Sequence, residues 1–231
     1  MARVRGACID KTEVSRRSYA AFLKDAGTLD RNKLPAVCQN QPSLVPDAAC
    51  EVDATKGCGA ACDSHPQTCV TWCNAAAYCA QMGKSLCGGA DGKLLEGTAT
   101  EDLIRASQWV ATCGDGVISP PGAVLATRRK YCYGDVKDPA RCNIGPASNC
   151  PNGTCQSEPV GSRPGCRIPE AEVFDLSGNV GEWLFMHDST RDVYFSSAVS
   201  WSNGIATECR ELGSSPLDFV LPYIGFRCCA Q

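Results

Sequence analysis

Cysteine is the residue type in this chain that could do the most chemistry, because it can form disulfides and bind metals. The chain of 231 residues contains 18 cysteines and only two histidines, His65 and His187. Zinc modules combine C-x-x-C pairs with histidines at short spacing, and no C-x-x-C occurs here. An even number of cysteines at irregular spacing favours disulfides, which persist in oxidising compartments. The sequence therefore predicts a disulfide-bonded protein that is secreted, periplasmic or at the cell surface.

One series of cysteines leaves a metal site open as an alternative. Cys58, Cys62, Cys69 and Cys73 follow one another at spacings that could hold zinc. In an oxidising compartment, disulfides that fix the preceding loop to a helix are the favoured interpretation.

Other patterns that could carry chemistry are incomplete. His187 and Asp188 are adjacent, but a hydrolase of the Gly-x-Ser-x-Gly type would need a nucleophile elbow that this sequence lacks. The glycine-rich segment 88–94 has neither the glycine spacing of a phosphate loop nor a Ser or Thr after its lysine. A net charge of −3 argues against nucleic-acid binding through a basic face. No apolar run reaches the roughly 18 residues of a membrane span.

Regular elements are predicted near both ends and in the middle of the chain. Ser15 is the expected N-cap of a helix that ends at Gly27. Segments 69–83 and 100–111 also have helical periodicity, and the chain is expected to finish with a strand over 224–229. These elements would position the polar and cysteine residues of the loops between them.

Two long segments, at about 28–68 and 114–170, lack periodicity and are rich in Gly, Pro and Cys. Loops of this length are uncommon unless they are functional or tied down, and their cysteines offer the ties. Hydrophobic residues form 44% of the chain, which is enough for a core. The sequence predicts an irregular α+β domain with cysteine-rich insertions.

Short segments in a fixed order resemble the family of the formylglycine-generating enzyme, the sulfatase-modifying factor family. They are residues 8–14, 65–72, 76–79, 83–86, 107–109, 131–134, 158–162, 173–183, 200–201 and 224–227. The resemblance implies a single domain over residues 1–231 with little regular secondary structure, related to C-type lectin-like folds and carrying several disulfides.

The family's enzyme oxidises a cysteine of a sulfatase to formylglycine, using O₂ and a copper ion held by two thiolates. Soft thiolates suit Cu(I). The corresponding loop here contains Ser200 and Trp201, and Asn203 stands at the first thiolate position. The resemblance therefore implies a degenerate active-site loop with no catalytic residue, and copper binding is not expected.

The resemblance also implies two disulfides, Cys79 with Cys228 and Cys113 with Cys209. The second pairing removes the remaining cysteine near the degenerate loop. Cys150 and Cys155 have the four-residue spacing of the family's thiolates but lie elsewhere in the chain. A small disulfide-closed turn is the favoured interpretation of that pair.

Calcium is the cofactor that the resemblance still implies. The first set of ligands comprises the carboxylates of Asp175 and Glu182 and the carbonyls of Gly178 and Val180. A second, weaker set comprises Asn143, the Ile144 carbonyl, Asn152 and the Thr154 carbonyl. Oxygen ligands of this kind suit Ca²⁺, and the neutral side chains of the second set lower its expected affinity.

Two functions follow as hypotheses. The first is a secreted, non-catalytic module, stabilised by disulfides and organised by calcium, that binds an extracellular protein, peptide or glycan. The alternative is an active formylglycine-generating oxidase that uses copper. The absence of free thiols would favour the first.

The cysteine content indicates export, but no apolar signal segment precedes Cys8. We therefore expect that the export signal stood upstream of this sequence and was removed.

Overall fold

The computed structural model describes residues 1–4, 7–98, 101–114, 129–145, 156–202 and 208–230. The helices are α1 (Arg16–Asp25), α2 (Ala48–Ala54), α3 (Trp72–Gln81), α4 (Glu101–Arg105) and α5 (Gln108–Cys113). The strands are β1 (Ala2–Val4), β2 (Ala7–Ile9), β3 (Ser85–Leu86), β4 (Leu95–Glu96), β5 (Gly181–Asp188), β6 (Val193–Ser197), β7 (Leu212–Ser215), β8 (Ile224–Gly225) and β9 (Cys228–Ala230). Short strands and helices joined by long irregular segments confirm the predicted α+β class.

The strands form two sheets. The first sheet is antiparallel and has the order β1-β2-β9-β3. Because β2 pairs with β9, the N-terminal and C-terminal strands share this sheet. The second has the order β4-β5-β6-β7, and β8 pairs in parallel with the start of β5. Strand β5 therefore connects the middle of the chain to its C-terminal segment.

Two predicted helices occur where the sequence places them, with one shifted start. The Ser15 hydroxyl caps α1 by accepting a backbone N–H at 3.3 Å, as predicted. Helix α3 begins at Trp72 rather than at residue 69, and the Thr71 hydroxyl caps it at 3.1 Å. Cys69 cannot join the helix because its φ is 59°.

The predicted helix over 100–111 is two helices, α4 and α5. Ser107 between them has an extended backbone and forms a β-bridge with Gly89. The next backbone N–H, that of Gln108, donates to the Gly88 carbonyl at 2.8 Å. These bonds to a distant segment outweigh the local helical periodicity.

Tryptophans fix α3 against the central strand β5. The indole N–H of Trp72 donates to the Leu184 carbonyl at 2.7 Å, and that of Trp183 donates to the Val70 carbonyl at 3.0 Å. Both rings are fully buried. Each buried indole thus satisfies its one donor while packing in the core, which holds the helix and the strand in register.

Seven disulfides connect the described residues. They are Cys38–Cys73, Cys50–Cys69, Cys58–Cys62, Cys79–Cys228, Cys87–Cys229, Cys113–Cys209 and Cys142–Cys166. The first two bind the 28–68 segment to α3 and to Cys69, three residues before it, as the disulfide interpretation predicts. Because all four cysteines of the possible zinc series are in disulfides, the zinc alternative is wrong.

No helix in the described part of the chain is long and apolar enough to cross a membrane.

Candidate functional site

The turn before β5 carries the residues predicted to bind calcium, and its backbone is unusual. Asp175, Gly178 and Asn179 have positive φ values of 63°, 127° and 57°. A Cβ atom on Gly178 would lie 2.7 Å from the Asn143 carbonyl oxygen, so only glycine fits there. The structure therefore brings Asn143 of the second predicted set against the turn that carries the first.

Asn179 is the hydrogen-bonding centre of this turn. Its backbone N–H donates to the Asn143 carbonyl at 2.9 Å, and its amide oxygen accepts from the Glu158 N–H at 2.8 Å. Its amide nitrogen donates to Glu13 Oε1 at 2.9 Å. The asparagine is 2% exposed. Three segments distant in sequence are therefore held together by the backbone and the side chain of one buried residue.

Glu182 does not offer a free carboxylate to a metal. The Arg227 guanidinium binds it at 2.7 Å through Nε and 2.6 Å through Nη2, and the Trp109 indole donates to Oε2 at 2.7 Å. Both members of the ion pair are about 1% exposed. The expectation that Glu182 ligates calcium is at odds with this geometry, because a guanidinium already neutralises the carboxylate.

Arg227 also fixes two loops. Its Nη1 donates to the Asp10 carbonyl at 3.1 Å and its Nη2 to the Phe174 carbonyl at 2.8 Å. Burial acts to lower the pKa of Arg227, but the surrounding acidic residues, Glu182 foremost with Glu13 and Asp175, together outweigh it and hold the pKa above its ordinary value. The cation therefore stays charged and joins the N-terminal segment, the turn and the strand β5.

Glu13 is a member of this cluster for which sequence analysis assigned no role. It is 2% exposed, and its Oε2 accepts no hydrogen bond. Burial raises its pKa well above the ordinary value, and the nearby Asp175 carboxylate raises it further. Burial and the neighbouring Asp175 carboxylate therefore both favour the protonated form of Glu13.

Asp175 is the carboxylate of the first predicted calcium set that no guanidinium holds directly. It accepts the Gly161 N–H at 2.6 Å and is 5% exposed. Burial is the main cause that raises its pKa to about 6. With Glu13, Asp175 and Glu182 ionised, one Arg227 would leave the cluster two negative charges in excess. The turn thus has the charge to hold either protons or a divalent cation.

A serine-lined groove lies beside the degenerate active-site loop. Its volume is about 160 Å³. It is lined by Gly181, Ser196, Ser197, Ala198, Ser200, Gly213, Ser214, Ser215, Leu221, Tyr223 and Ile224. These lining residues carry hydroxyl and apolar groups and no charge, so the groove is suited to a neutral polar ligand.

Two donors next to this groove lack partners. Neither Ser200 Oγ nor Trp201 Nε1 forms a hydrogen bond, although both atoms are buried. The Trp201 ring packs edge-on against Tyr223, with centroids 6.3 Å apart. Buried donors normally have acceptors, and an unsatisfied one costs about 1–3 kcal/mol. A bound ligand that supplied acceptors would recover that energy.

Three of the predicted site residues, Asn152, Thr154 and Asn203, lie outside the described residues, as do Cys150 and Cys155. Ile144, from the second calcium set, is 4% exposed and packs in the core. Cys209 is bonded to Cys113, and Cys79 to Cys228, which are the two pairs that the resemblance implies.

Two described cysteines are outside disulfides, so the absence of free thiols that would favour the non-catalytic hypothesis is not observed. Cys8 lies on β2 with partial exposure, and Cys132 is fully buried. Neither belongs to the loop in which the family's enzyme holds copper. The count of cysteines cannot reveal this, because an even number is compatible with unpaired members.

Known structures share this fold across most of their length. CarF, known from a crystal structure, is 19% identical in sequence to this chain. The match covers 96% of this chain and 84% of CarF, with a TM-score of 0.59. PvdO from Pseudomonas aeruginosa is 16% identical, with coverage of 96% and 79% and a TM-score of 0.55. Treponema denticola variable protein 1 is 14% identical, with coverage of 97% and 84% and a TM-score of 0.54.

At these identities the similarity concerns the fold alone. No curated protein sequence matches the chain significantly. The family is therefore shown by the match of a family model along the whole chain, in agreement with the ordered short segments found in the sequence. The sulfatase-modifying factor enzyme 1-like domain model matches residues 1–231, and the chain belongs to that family.

Proposed function

We propose that this chain is a non-catalytic member of its family that acts as an extracellular binding module. The disulfide between Cys209 and Cys113 is the observation that carries the proposal. With Asn203 at the first thiolate position, this bond takes up the remaining cysteine near the loop. The donor set does not fit the family's copper ion, because amide and hydroxyl oxygens bind Cu(I) poorly.

The serine-lined groove is the ligand site in this proposal. Its neutral hydroxyl lining and the unpartnered donors of Ser200 and Trp201 support a partner with exposed hydrogen-bond acceptors, such as a peptide or a glycan. An aromatic ring beside hydroxyl groups offers one apolar face and several polar contacts. The seven disulfides support an oxidising, extracellular location.

Calcium remains part of the proposal, with a changed set of ligands. Asp175 and the carbonyls of Gly178 and Val180 are retained, and the Glu13 carboxylate takes the place of Glu182. The buried Glu13 Oε2 without an acceptor bond and the excess of carboxylates over Arg227 support this choice. A bound Ca²⁺ would supply the positive charge that a proton on Glu13 supplies in its absence.

An oxidase assay tests the absence of catalysis. The protein is supplied with Cu(I), O₂ and a sulfatase-type peptide containing a cysteine, and formylglycine is measured by mass spectrometry. We expect no formylglycine, whereas a copper-dependent yield like that of an active family enzyme assayed in parallel would refute the non-catalytic assignment and revive the oxidase hypothesis.

Binding to glycan and peptide arrays tests the groove. We expect Ser200→Ala and Trp201→Ala to weaken whatever binding the unmodified protein shows. Ser189→Ala is the matched control, because Ser189 is an exposed serine that does not line the groove. Equal binding by all three variants, or no binding to either array, would contradict the proposed ligand site.

A further inference from the structure

The unpaired thiol of Cys132 lies against a disulfide. The sulfur atoms of Cys132, Cys142 and Cys166 all lie within 4.8 Å of one another, and Cys142 is bonded to Cys166. All three side chains are fully buried. Packing therefore holds a third sulfur beside a bond that it could attack.

Ser177 orders the surroundings of these sulfurs. Its hydroxyl accepts the backbone N–H of Cys132 at 2.9 Å, and its carbonyl oxygen lies 3.7 Å from Cys166 Sγ. Ser177 itself is fully buried. Cys132 is thus fixed by its backbone to a residue of the turn that also packs against Cys166, which keeps the thiol near the disulfide.

We propose that Cys132 is a resident nucleophile that exchanges with the Cys142–Cys166 disulfide. The Cys132 thiol loses its proton, and its sulfur attacks the sulfur of one bonded cysteine, forming a new S–S bond. The old S–S bond breaks, and the displaced cysteine leaves as a thiolate that takes up a proton. The number of disulfides is unchanged, so the step needs neither an oxidant nor a reductant.

Burial restrains this exchange in the closed structure. The attacking species is the thiolate, and burial raises the pKa of the Cys132 thiol to about 12. Exchange therefore proceeds when the segment opens and water reaches the sulfurs. Opening of single segments at a free energy below that of global unfolding is a general property of folded proteins.

The exchange would have a consequence at the candidate site. Cys142 directly precedes Asn143, whose carbonyl accepts the Asn179 N–H at 2.9 Å and contacts Gly178. When Cys142 is the displaced cysteine, the covalent tie that holds Asn143 against the turn is lost. The turn is then held more firmly when Cys142 is bonded to Cys166 than when Cys132 is bonded to Cys166.

Peptide mapping tests the proposal. The chain is incubated in sub-denaturing urea, free thiols are blocked with N-ethylmaleimide under denaturing conditions, and trypsin is added. Cleavage after Lys130, Lys137, Arg141 and Arg167 releases Cys132 in fragment 131–137 and both bonded cysteines in fragment 142–167. A disulfide between the two fragments reports the exchange, and tandem mass spectrometry locates the bonded residues.

We expect no such link without urea and a link from Cys132 to Cys142 or Cys166 with it. Cys132→Ser should abolish the link, and Cys8→Ser, which removes the other unpaired thiol, should retain it. The proposal is overturned if the unmodified protein forms no link at any urea concentration below global unfolding. A link to Cys150 or Cys155, or equal linkage to unrelated fragments, overturns it as well.

Discussion

Replacing Glu182 by Gln should destabilise the protein strongly. The substitution preserves volume but removes the charge that faces Arg227, whose guanidinium binds both carboxylate oxygens at 2.6 and 2.7 Å. It also turns one of the two acceptor oxygens into a donor group, in a position already surrounded by donors. Since both residues are about 1% exposed, water cannot replace the lost interaction.

The expected magnitude follows from the burial of the pair. Breaking a buried ion pair by removing one partner costs about 3–5 kcal/mol. The ionised Asp175 can compensate part of the charge of Arg227, so we expect about 3 kcal/mol. For a chain of this size, that corresponds to a fall in the melting temperature of about 6–12 °C.

Thermal and urea unfolding with the disulfides intact provide the assay. Glu172→Gln is the matched control, because the Lys11–Glu172 pair has a similar length of 2.6 Å but side chains that are 49% and 61% exposed. Exposed pairs contribute little, and we expect no measurable change from the control. Equal shifts in the two variants would refute the reasoning that burial, and not contact distance, decides the cost.

Further predictions concern the turn, the carboxyl pair, the metal and the disulfides. Gly178→Ala should lower the free energy of unfolding in urea by about 1–3 kcal/mol, because the residue has a positive φ and the new Cβ would clash with the Asn143 carbonyl. Gly27→Ala is the control and should not lower it, since a Cβ there would have no atom within 4 Å. The pKa of Asp175 is raised from 3.8 to about 6, so its stabilising contribution is complete below pH 4 and is lost as the pH rises through 6. Asp175→Asn should flatten the pH dependence of the melting temperature in that window; an unchanged profile would contradict the assignment. Calcium should raise the melting temperature near pH 7 but not in Asp175→Asn, and a zero shift in the unmodified protein would remove calcium from the proposal. Replacing both cysteines by serine should cost about 3 kcal/mol for Cys50–Cys69 and about 2 kcal/mol for Cys58–Cys62, because the longer loop loses more entropy; the reverse order in urea unfolding would refute this explanation.

Local signals were sufficient for some elements. The Ser15 cap and the apolar face of α1 predict that helix because capping and i, i+3, i+4 packing act within a few residues. The motif order along the chain identified the family and, through it, two disulfides. These features are set by short-range chemistry or by a pattern that covers the whole sequence.

Long-range contacts overruled the local signal elsewhere. The periodicity over 100–111 indicates one helix, but bonds to Gly88 and Gly89 hold Ser107 and Gln108 in a conformation that ends α4 before α5 begins. A partner about 20 residues away is invisible to periodicity. The same limit applies to the shifted start of α3, because Cys69 has a φ of 59° and is held by long-range contacts, a disulfide to Cys50 and a backbone bond to Leu221.

The chemistry of the site was decided by tertiary structure. The sequence alone determined which oxygen and sulfur groups the chain possesses, and it singled out Asp175 and Glu182 in one turn. Only the fold pairs Arg227 with Glu182, brings Glu13 close to Asp175 and packs Cys132 beside the Cys142–Cys166 disulfide. The physical reason is that a charge or a thiol takes its state from the groups within a few ångströms, and here those groups come from segments far apart in the chain.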